Sequence, residues 1–170
     1  MEPTRVVIVM GVAGSGKTTV GALLAARHGG DFHDADDFHP PENIAKMASG
    51  IPLDDADRAP WLQRLRVEVV DDTPVGKFSV LACSALKRIY RKQLGVGSDV
   101  VLVYLKGDAV TLAERLAGRS GHYMKAGMLE SQLATLEEPS PDEGLIVGIT
   151  RPADEIVSSI EAALGLRFSP

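Results

Sequence analysis

A glycine-rich segment near the amino terminus has the composition and spacing of a phosphate-binding loop. Residues 11–18 read Gly-Val-Ala-Gly-Ser-Gly-Lys-Thr and fit the pattern G-x-x-x-x-G-K-[ST]. Glycines let successive N–H groups turn toward phosphate oxygens, and a following helix presents its positive end to the same anion. The lysine of such a loop reaches the β- and γ-phosphates, and the hydroxyl ligates Mg²⁺. The predicted nucleotide-binding residues are Gly11, Val12, Ala13, Gly14, Ser15, Gly16, Lys17, Thr18 and Thr19.

Other features narrow the class of nucleotide-binding protein. The sequence has no Asn-Lys-x-Asp motif for guanine recognition, and no apolar segment ends in the aspartate of a second Mg²⁺ motif. The apolar segment 78–83, for example, ends in cysteine and continues with Ser-Ala. A compact small-molecule kinase is therefore favoured over a GTPase or a motor or switch ATPase.

Two carboxylates follow a weakly apolar segment at residues 31–34. Asp34 and Asp36 would lie where open α/β sheets bind ligands, on the same side if the strand persists. Asp34 could hold Mg²⁺ through water, and Asp36 could orient an attacking hydroxyl and accept its proton. Two alternatives stay open. The segment could be a solvated acidic turn with helix-capping aspartates. It could also be a transition-metal site formed by His33, Asp34, Asp36 and His39, although this spacing matches no standard zinc pattern.

Five side chains are candidates for binding anionic groups, and each lies in a long insert or just beyond a strand end. They are Lys46, Arg58, Lys87, Arg119 and His122. Each of these side chains alone could be an ordinary surface charge. Their shared position at the expected ligand side favours an anion-binding role for the group as a whole. Arg58 suits bidentate binding of a carboxylate, and Arg119 is placed to neutralise a transferring phosphoryl group.

Short apolar segments alternate with helix-period segments and predict the elements that position these residues. The apolar segments are 5–10, 31–34, 78–83, 99–105 and 145–149, and the last helix is expected near 153–164. This alternation predicts a parallel sheet with helices on both faces. Residues 35–75 and 118–138 break it, and within a single domain of residues 1–170 we expect them to form a substrate-binding insert and a lid.

Composition excludes several other classes. The 170 residues carry 18 Lys+Arg and 23 Asp+Glu, a net charge of −5 that disfavours binding to nucleic acid or to a membrane surface. The single cysteine, Cys83, cannot form an internal disulfide and fits a reducing compartment. The apolar run at residues 6–10 is too short for a signal peptide or a membrane span. These features predict a soluble, cytoplasmic protein.

Several longer motifs are more specific than the phosphate-binding loop. They are Asp36-Asp37-Phe38-His39-Pro40, Lys46-Met47-Ala48-Ser49-Gly50, Asp57-Arg58-Ala59-Pro60-Trp61-Leu62, Cys83-Ser84-Ala85-Leu86-Lys87, Tyr90-Arg91, Arg119-Ser120-Gly121-His122 and Ser131-Gln132-Leu133-Ala134-Thr135-Leu136-Glu137. From Val6 to about Pro139 the sequence resembles the small bacterial gluconokinases, P-loop kinases related to shikimate and nucleoside-monophosphate kinases.

The resemblance implies a fold, a reaction and residue roles. The fold is a three-layer α/β sandwich with a five-stranded parallel sheet in the order 2-3-1-4-5, helices on both faces and a mobile lid. The reaction is phosphorylation of D-gluconate by ATP with Mg²⁺, in a homodimer. By similarity, Asp36 serves the acceptor hydroxyl and Arg58 the substrate carboxylate, residues 150–152 lie near adenine, and the lid arginines include Arg115 and Arg119.

Three other functions remain open at the level of sequence. The chain could phosphorylate another polyol acid or shikimate, or a nucleoside monophosphate. It could also be a non-enzymatic regulator that uses the phosphate-binding loop as a switch. The residues expected to bind an acidic polyol substrate are Asp36, Lys46, Arg58, Lys87 and His122, and the expected metal ligands are Thr18 and Asp34.

Overall fold

A parallel sheet of five strands forms the centre of the molecule. The computed structural model of the chain describes residues 4–118 and 123–166. The strands, in chain order, are β1 (Val6–Met10), β2 (Asp31–Asp34), β3 (Ser79–Ala82), β4 (Val100–Lys106) and β5 (Leu145–Gly148). Their order across the sheet is β2-β3-β1-β4-β5, and every pairing is parallel. The predicted sheet order is confirmed.

Helices lie between the strands and cover both faces of the sheet. They are α1 (Lys17–Arg27), α2 (Pro41–Ala48), α3 (Asp55–Leu65), α4 (Arg88–Gln93), α5 (Ala109–Ala117), α6 (Tyr123–Thr135) and α7 (Ala153–Leu164). A 3₁₀ turn at Ala35–Phe38 follows β2, and a π-helical segment at Arg66–Asp71 continues α3. The last helix has the bounds that the sequence predicts. Within the described residues, no helix combines the length and apolarity needed to cross a membrane.

The central strand β1 explains why the sheet needs cover on both sides. All five of its residues are fully buried. Val7 and Val9 pack in a cluster with side chains of α1, α5 and α7, whereas Val6, Ile8 and Met10 pack in a second cluster with α3. Successive side chains of a strand point to opposite faces, so a continuous apolar strand must be buried between two layers.

The segment between β2 and β3 is anchored to the sheet by Trp61. This side chain is 3% exposed, and its indole N–H donates a hydrogen bond of 2.7 Å to the carbonyl oxygen of Ala35. Helix α3 begins with a reciprocal cap, in which Asp54 accepts the Asp57 N–H at 2.7 Å and Asp57 accepts the Asp54 N–H at 3.0 Å. The cap and the tryptophan fix the first turns of α3 relative to the end of β2.

Candidate active site

The phosphate-binding loop joins β1 to α1 and depends on glycine at two positions. Gly14 and Gly16 have φ values of 83° and 92°, a left-handed conformation that residues with a Cβ rarely adopt. A Cβ on Gly14 would also lie 3.0 Å from the Leu112 carbonyl oxygen of α5. The Lys17 ammonium donates to the Val12 carbonyl oxygen at 3.2 Å, so the lysine lies across the mouth of the loop.

A cavity of about 360 Å³ opens beside this loop. Its walls come from the loop and α1, from Arg115 of α5, and from Arg151 and Pro152 before α7. The Arg115 guanidinium donates to the carbonyl oxygen of Ile149, which fixes the arginine against the end of β5. The cavity has the size of a small-molecule site and lies next to the nucleotide loop, with residues 151–152 in its wall.

The first carboxylate of the acceptor side, Asp34, is the last residue of β2. The register of the sheet sets it level with Ala82 of β3 and Val9 of β1, so it lies at the edge from which the phosphate-binding loop begins. Strand alternation would place Asp34 and Asp36 on the same side only if β2 continued to Asp36. The strand ends at Asp34, so alternation does not align the two side chains. Instead, Asp34 Oδ1 accepts the Asp36 N–H at 3.0 Å, and the 3₁₀ turn presents Asp36.

Asp36 lies on an open cleft in the electrostatic field of Lys17. Its side chain is 86% exposed, yet the surrounding protein partly desolvates it. This desolvation raises the pKa of Asp36, the neighbouring Asp34 and Asp37 carboxylates raise it further, and Lys17 opposes both effects. The charge of Lys17 thus reaches Asp36, so the aspartate and the phosphate-binding loop share one electrostatic environment.

The donor atoms near the loop suit a hard cation. Thr18 is exposed in the first turn of α1, and Asp34 has one carboxylate oxygen that does not bind the Asp36 amide. Oxygen donors that leave room for water and phosphate match the coordination preferred by Mg²⁺. Among the described residues no group of three or more His, Cys, Asp or Glu side chains converges to hold a metal, so the four-residue transition-metal alternative is not supported.

His39 lies between the aspartate and Arg58. Its ring stacks on Trp61 at a centroid distance of 4.3 Å, and its Nε2 is 3.9 Å from Asp36 Oδ1. Burial, followed by the positive charge of Arg58, lowers the pKa of His39 to about 4. The imidazole is therefore neutral at physiological pH.

The cations predicted to bind the substrate differ in their partners. Lys46 contacts both carboxylate oxygens of Asp57 at 2.9 Å, and Lys87 contacts Asp55 at 2.9 Å. Both lysines thus form ion pairs with the first turn of α3. In the described parts of the chain, the Arg58 guanidinium forms no ion pair with a carboxylate.

Arg58 instead contacts Tyr90, which belongs to one of the family motifs but has no role predicted from the sequence. Its Nη1 donates to the Tyr90 hydroxyl oxygen at 3.1 Å, and its Cζ lies 5.5 Å from the centre of the Tyr90 ring. The same hydroxyl donates to Asp55 Oδ1, which also binds Lys87. Tyr90 therefore links the arginine to the Asp55–Lys87 pair.

The segment after β3 is held by a buried arginine. Ala85 has a left-handed φ of 46° and is fully buried. Arg91, 1% exposed, donates to the carbonyl oxygens of Ala85 and Leu86 at 2.9 and 3.1 Å and pairs with Glu143 at 2.5 Å. Burial raises the pKa of Cys83, just before this turn, to about 12, so its thiol stays protonated.

Sequence reasoning missed the partners of the site more than its charged groups. The family motifs include Tyr90, Arg91 and Gln132. The spacing of these residues in the sequence does not predict which groups they contact. Gln132 Oε1 of α6 accepts the Ala13 N–H at 2.7 Å, across 119 residues of sequence. Two predicted residues, Arg119 and His122, lie outside the described residues.

Comparisons with known proteins identify the family of the chain. A family model described as shikimate kinase matches residues 13–157. A gluconokinase from Gluconobacter oxydans (strain 621H) is 50% identical over 144 residues, which are 84% of this chain and 80% of that protein. The thermoresistant gluconokinase of Escherichia coli (strain K12) is 43% identical over 158 residues, 91% of this chain and 90% of that protein.

A solved structure extends the agreement to three dimensions. The crystal structure of a gluconokinase from Sinorhizobium meliloti 1021 superimposes with a TM-score of 0.85 at 40% identity, covering 97% of this chain and 94% of that one. The match includes the sheet and the helices that position the cleft. The chain therefore belongs to the gluconokinase family of P-loop kinases.

Proposed function

We propose that the protein transfers the γ-phosphoryl group of ATP to the 6-hydroxyl of D-gluconate, giving 6-phospho-D-gluconate and ADP. One observation supports this most directly. Near the end of β2, His39 Nε2 lies 3.9 Å from Asp36, Lys17 acts electrostatically on Asp36, and Arg58 acts electrostatically on His39. This arrangement suits a substrate with a reactive hydroxyl at one end and a carboxylate at the other.

The nucleotide end of the cleft would work through position and charge. The backbone of the loop and Lys17 would surround the β- and γ-phosphates, and the cavity beside Arg115 and Arg151 would take the nucleoside. Thr18 and Asp34 would hold Mg²⁺, which neutralises phosphate charge when bound. Arg119 would add positive charge to the transferring group, as the family resemblance implies.

The acceptor end would orient the hydroxyl. Phosphoryl transfer has a loose transition state, in which the nucleophile need not lose its proton early. The main task of a carboxylate is therefore to position the hydroxyl. Asp36 lies in the electrostatic field of Lys17 and its side chain is exposed, which fits that role. Its raised pKa also suits a group that takes up the proton of the hydroxyl during transfer.

The carboxylate end would be bound by Arg58. A guanidinium has donors in a planar fork that matches a carboxylate, and Tyr90 holds the arginine from one side only. Lys46, Lys87 and His122 complete the proposed set of substrate-binding residues. The two lysines are paired with Asp57 and Asp55, so a substrate carboxylate would compete with these aspartates for them.

Measurement of ADP release with Mg²⁺–ATP tests this function. The acceptors are D-gluconate, its epimers, glycerate, shikimate and AMP, with a reaction lacking acceptor as the baseline. Selective stimulation by D-gluconate, with a product phosphorylated at the 6-hydroxyl, is the expected result. Stimulation by shikimate or AMP instead would transfer the proposal to that acceptor, and ATP binding without any stimulation would favour the regulatory alternative.

Two further features are proposed from the family resemblance and composition. We expect a homodimer and a cytoplasmic location. Size-exclusion chromatography with light scattering gives the oligomeric state directly. A mass of about twice the 18.1 kDa of the chain would support the dimer.

A further inference from the structure

The buried imidazole of His39 has a fixed hydrogen-bonding pattern. Asn43, itself 2% exposed, places its amide nitrogen 3.2 Å from His39 Nδ1 and 2.9 Å from the carbonyl oxygen of Asp57. A carbonyl can only accept, so the group facing it must be the NH₂ of Asn43. The same NH₂ therefore also donates to His39 Nδ1, which must be the unprotonated nitrogen of the ring.

The proton of the neutral ring consequently lies on Nε2. This atom is 3.9 Å from Asp36 Oδ1, and the imidazole side chain is only 4% exposed. The stack on Trp61, with the ring planes 13° apart, prevents the imidazole from tilting away. The Trp61 indole N–H in turn donates a hydrogen bond to the carbonyl oxygen of Ala35, the residue that precedes Asp36. Histidine, tryptophan and aspartate are thus held in one local unit.

We propose that His39 is a positioning residue for the phosphoryl-transfer step, whose Nε2–H donates to one oxygen of Asp36 and turns the other toward the acceptor hydroxyl. A small rotation of the exposed Asp36 side chain closes the 3.9 Å gap to hydrogen-bond length. The gap is too narrow for a substrate group between the two side chains. The inference rests on the proposed function, because it assigns Asp36 to the acceptor.

A neutral histidine suits this task better than a charged one. An imidazolium beside Asp36 would form a strong ion pair and weaken the carboxylate as a proton acceptor. Burial and the nearby Arg58 guanidinium both disfavour the charged form. The neutral N–H can orient the carboxylate while leaving it basic.

Two substitutions separate the hydrogen bond from the packing. His39→Phe retains a ring to stack on Trp61 but has no donor. His39→Gln places an amide N–H near the position of Nε2. We expect His39→Phe to lower kcat about 10- to 100-fold and to leave the KM for ATP within about twofold, because the misplaced group acts only on the acceptor. His39→Gln should recover most of the lost kcat.

A double-mutant cycle with Asp36→Asn tests whether His39 acts through the aspartate. If it does, His39→Phe should lower kcat by no more than about twofold in the Asp36→Asn background. His33→Phe is the matched control. That histidine lies in β2, five residues from the 3₁₀ turn's end, with its ring edge-on to Phe38, and its replacement should not change kcat.

The outcomes are distinguishable. An unchanged kcat in His39→Phe, a loss of equal size in the Asp36→Asn background, or no recovery in His39→Gln would each overturn the inference. If His39→Phe fails to fold by circular dichroism, the kcat of His39→Gln decides, since a loss there also overturns it. Turnover of gluconate by the unaltered protein tests the proposed function separately. The variant ratios are measured with whichever acceptor stimulates ADP release.

Discussion

The phosphate-binding loop and the acceptor side of the cleft differ in how the fold positions their functional groups. The loop is one continuous segment, and its phosphate-facing groups are backbone N–H groups set by glycines at positive φ. The acceptor side takes Asp36 from a turn, Arg58 from α3 and Tyr90 from α4. The first region depends on local chain conformation, whereas the second depends on side chains that distant elements bring together.

The two regions also differ in how their charges are arranged before substrate binds. At the acceptor side, the carboxylates of Asp55 and Asp57 bind Lys87 and Lys46. A substrate carboxylate would compete with these internal anions for the lysines, but not for Arg58. The comparison indicates that substitutions in the loop should affect the chemical step, while substitutions of Arg58 and Tyr90 at the carboxylate end of the acceptor side should chiefly affect the binding of one substrate.

The largest effect is expected for Lys17→Ala. The variant loses the ammonium that we propose contacts the transferring phosphoryl group, so kcat should fall about 10³- to 10⁵-fold, the range attached to a transition-state cation in phosphoryl transfer. The fold should persist, because Lys17 is only half-buried and does not belong to the apolar clusters that hold the sheet. Steady-state kinetics measure kcat, and thermal unfolding shows whether the fold persists. Lys92→Ala, an exposed lysine of α4, is the control, and near-normal turnover by Lys17→Ala would reject the loop assignment.

The next largest effect is expected for Arg91→Met, which tests the framework of the acceptor side. Methionine fills similar space but leaves Glu143 and two buried carbonyl oxygens without their donor. Removal of one partner of a buried pair should cost about 3 kcal/mol and lower Tm by roughly 10 °C. Arg88→Met, at an exposed position of the same helix, should leave Tm unchanged. Equal Tm values for both variants would contradict the assigned role of Arg91.

The difference between the regions also explains what the sequence could predict. The loop was predictable because its function requires a fixed order of residue types in one segment. The strands were predictable for a similar reason, since a run such as Val6–Met10 can be buried only between two layers. Each signal is contained within a few consecutive residues.

The acceptor side was predictable only in its charged residues. Arg58 follows from the family motif, but its bond to Tyr90 joins positions 32 residues apart, and no spacing rule gives such a contact. The ion pair of Lys46 with Asp57 likewise depends on how α2 packs beside α3. By residue type alone His39 is a candidate metal ligand, whereas its actual neighbours are Asn43, Trp61 and Asp36.

Arg58→Ala should show the contrast between the regions in a single set of kinetics. Loss of a charged hydrogen-bond donor to the substrate carboxylate should raise the KM for gluconate about 10- to 100-fold, with little change in the KM for ATP. Arg58→Lys should recover only part of this loss, because an ammonium has no planar fork. Arg88→Ala, at an exposed position of α4, is the control. An unchanged KM for gluconate in Arg58→Ala would remove the arginine from the carboxylate site.

Tyr90→Phe should produce the smallest and most selective change. The ring remains beside the Arg58 guanidinium, but the hydroxyl that accepts from Arg58 and donates to Asp55 is lost. The guanidinium itself remains to bind the substrate carboxylate, so only its orientation is weakened; a loss of about 1 kcal/mol in gluconate binding should raise the KM for gluconate roughly fivefold while kcat stays the same. Tyr104→Phe is the matched control, since its hydroxyl donates to Glu138 at 2.9 Å and contacts neither Arg58 nor Asp55. If both phenylalanine variants raised the KM equally, the effect would come from general loosening of the protein. A rise in Tyr90→Phe alone means that the tyrosine sets the orientation of Arg58, and that the specificity of the acceptor side depends on a residue that does not itself bind the carboxylate.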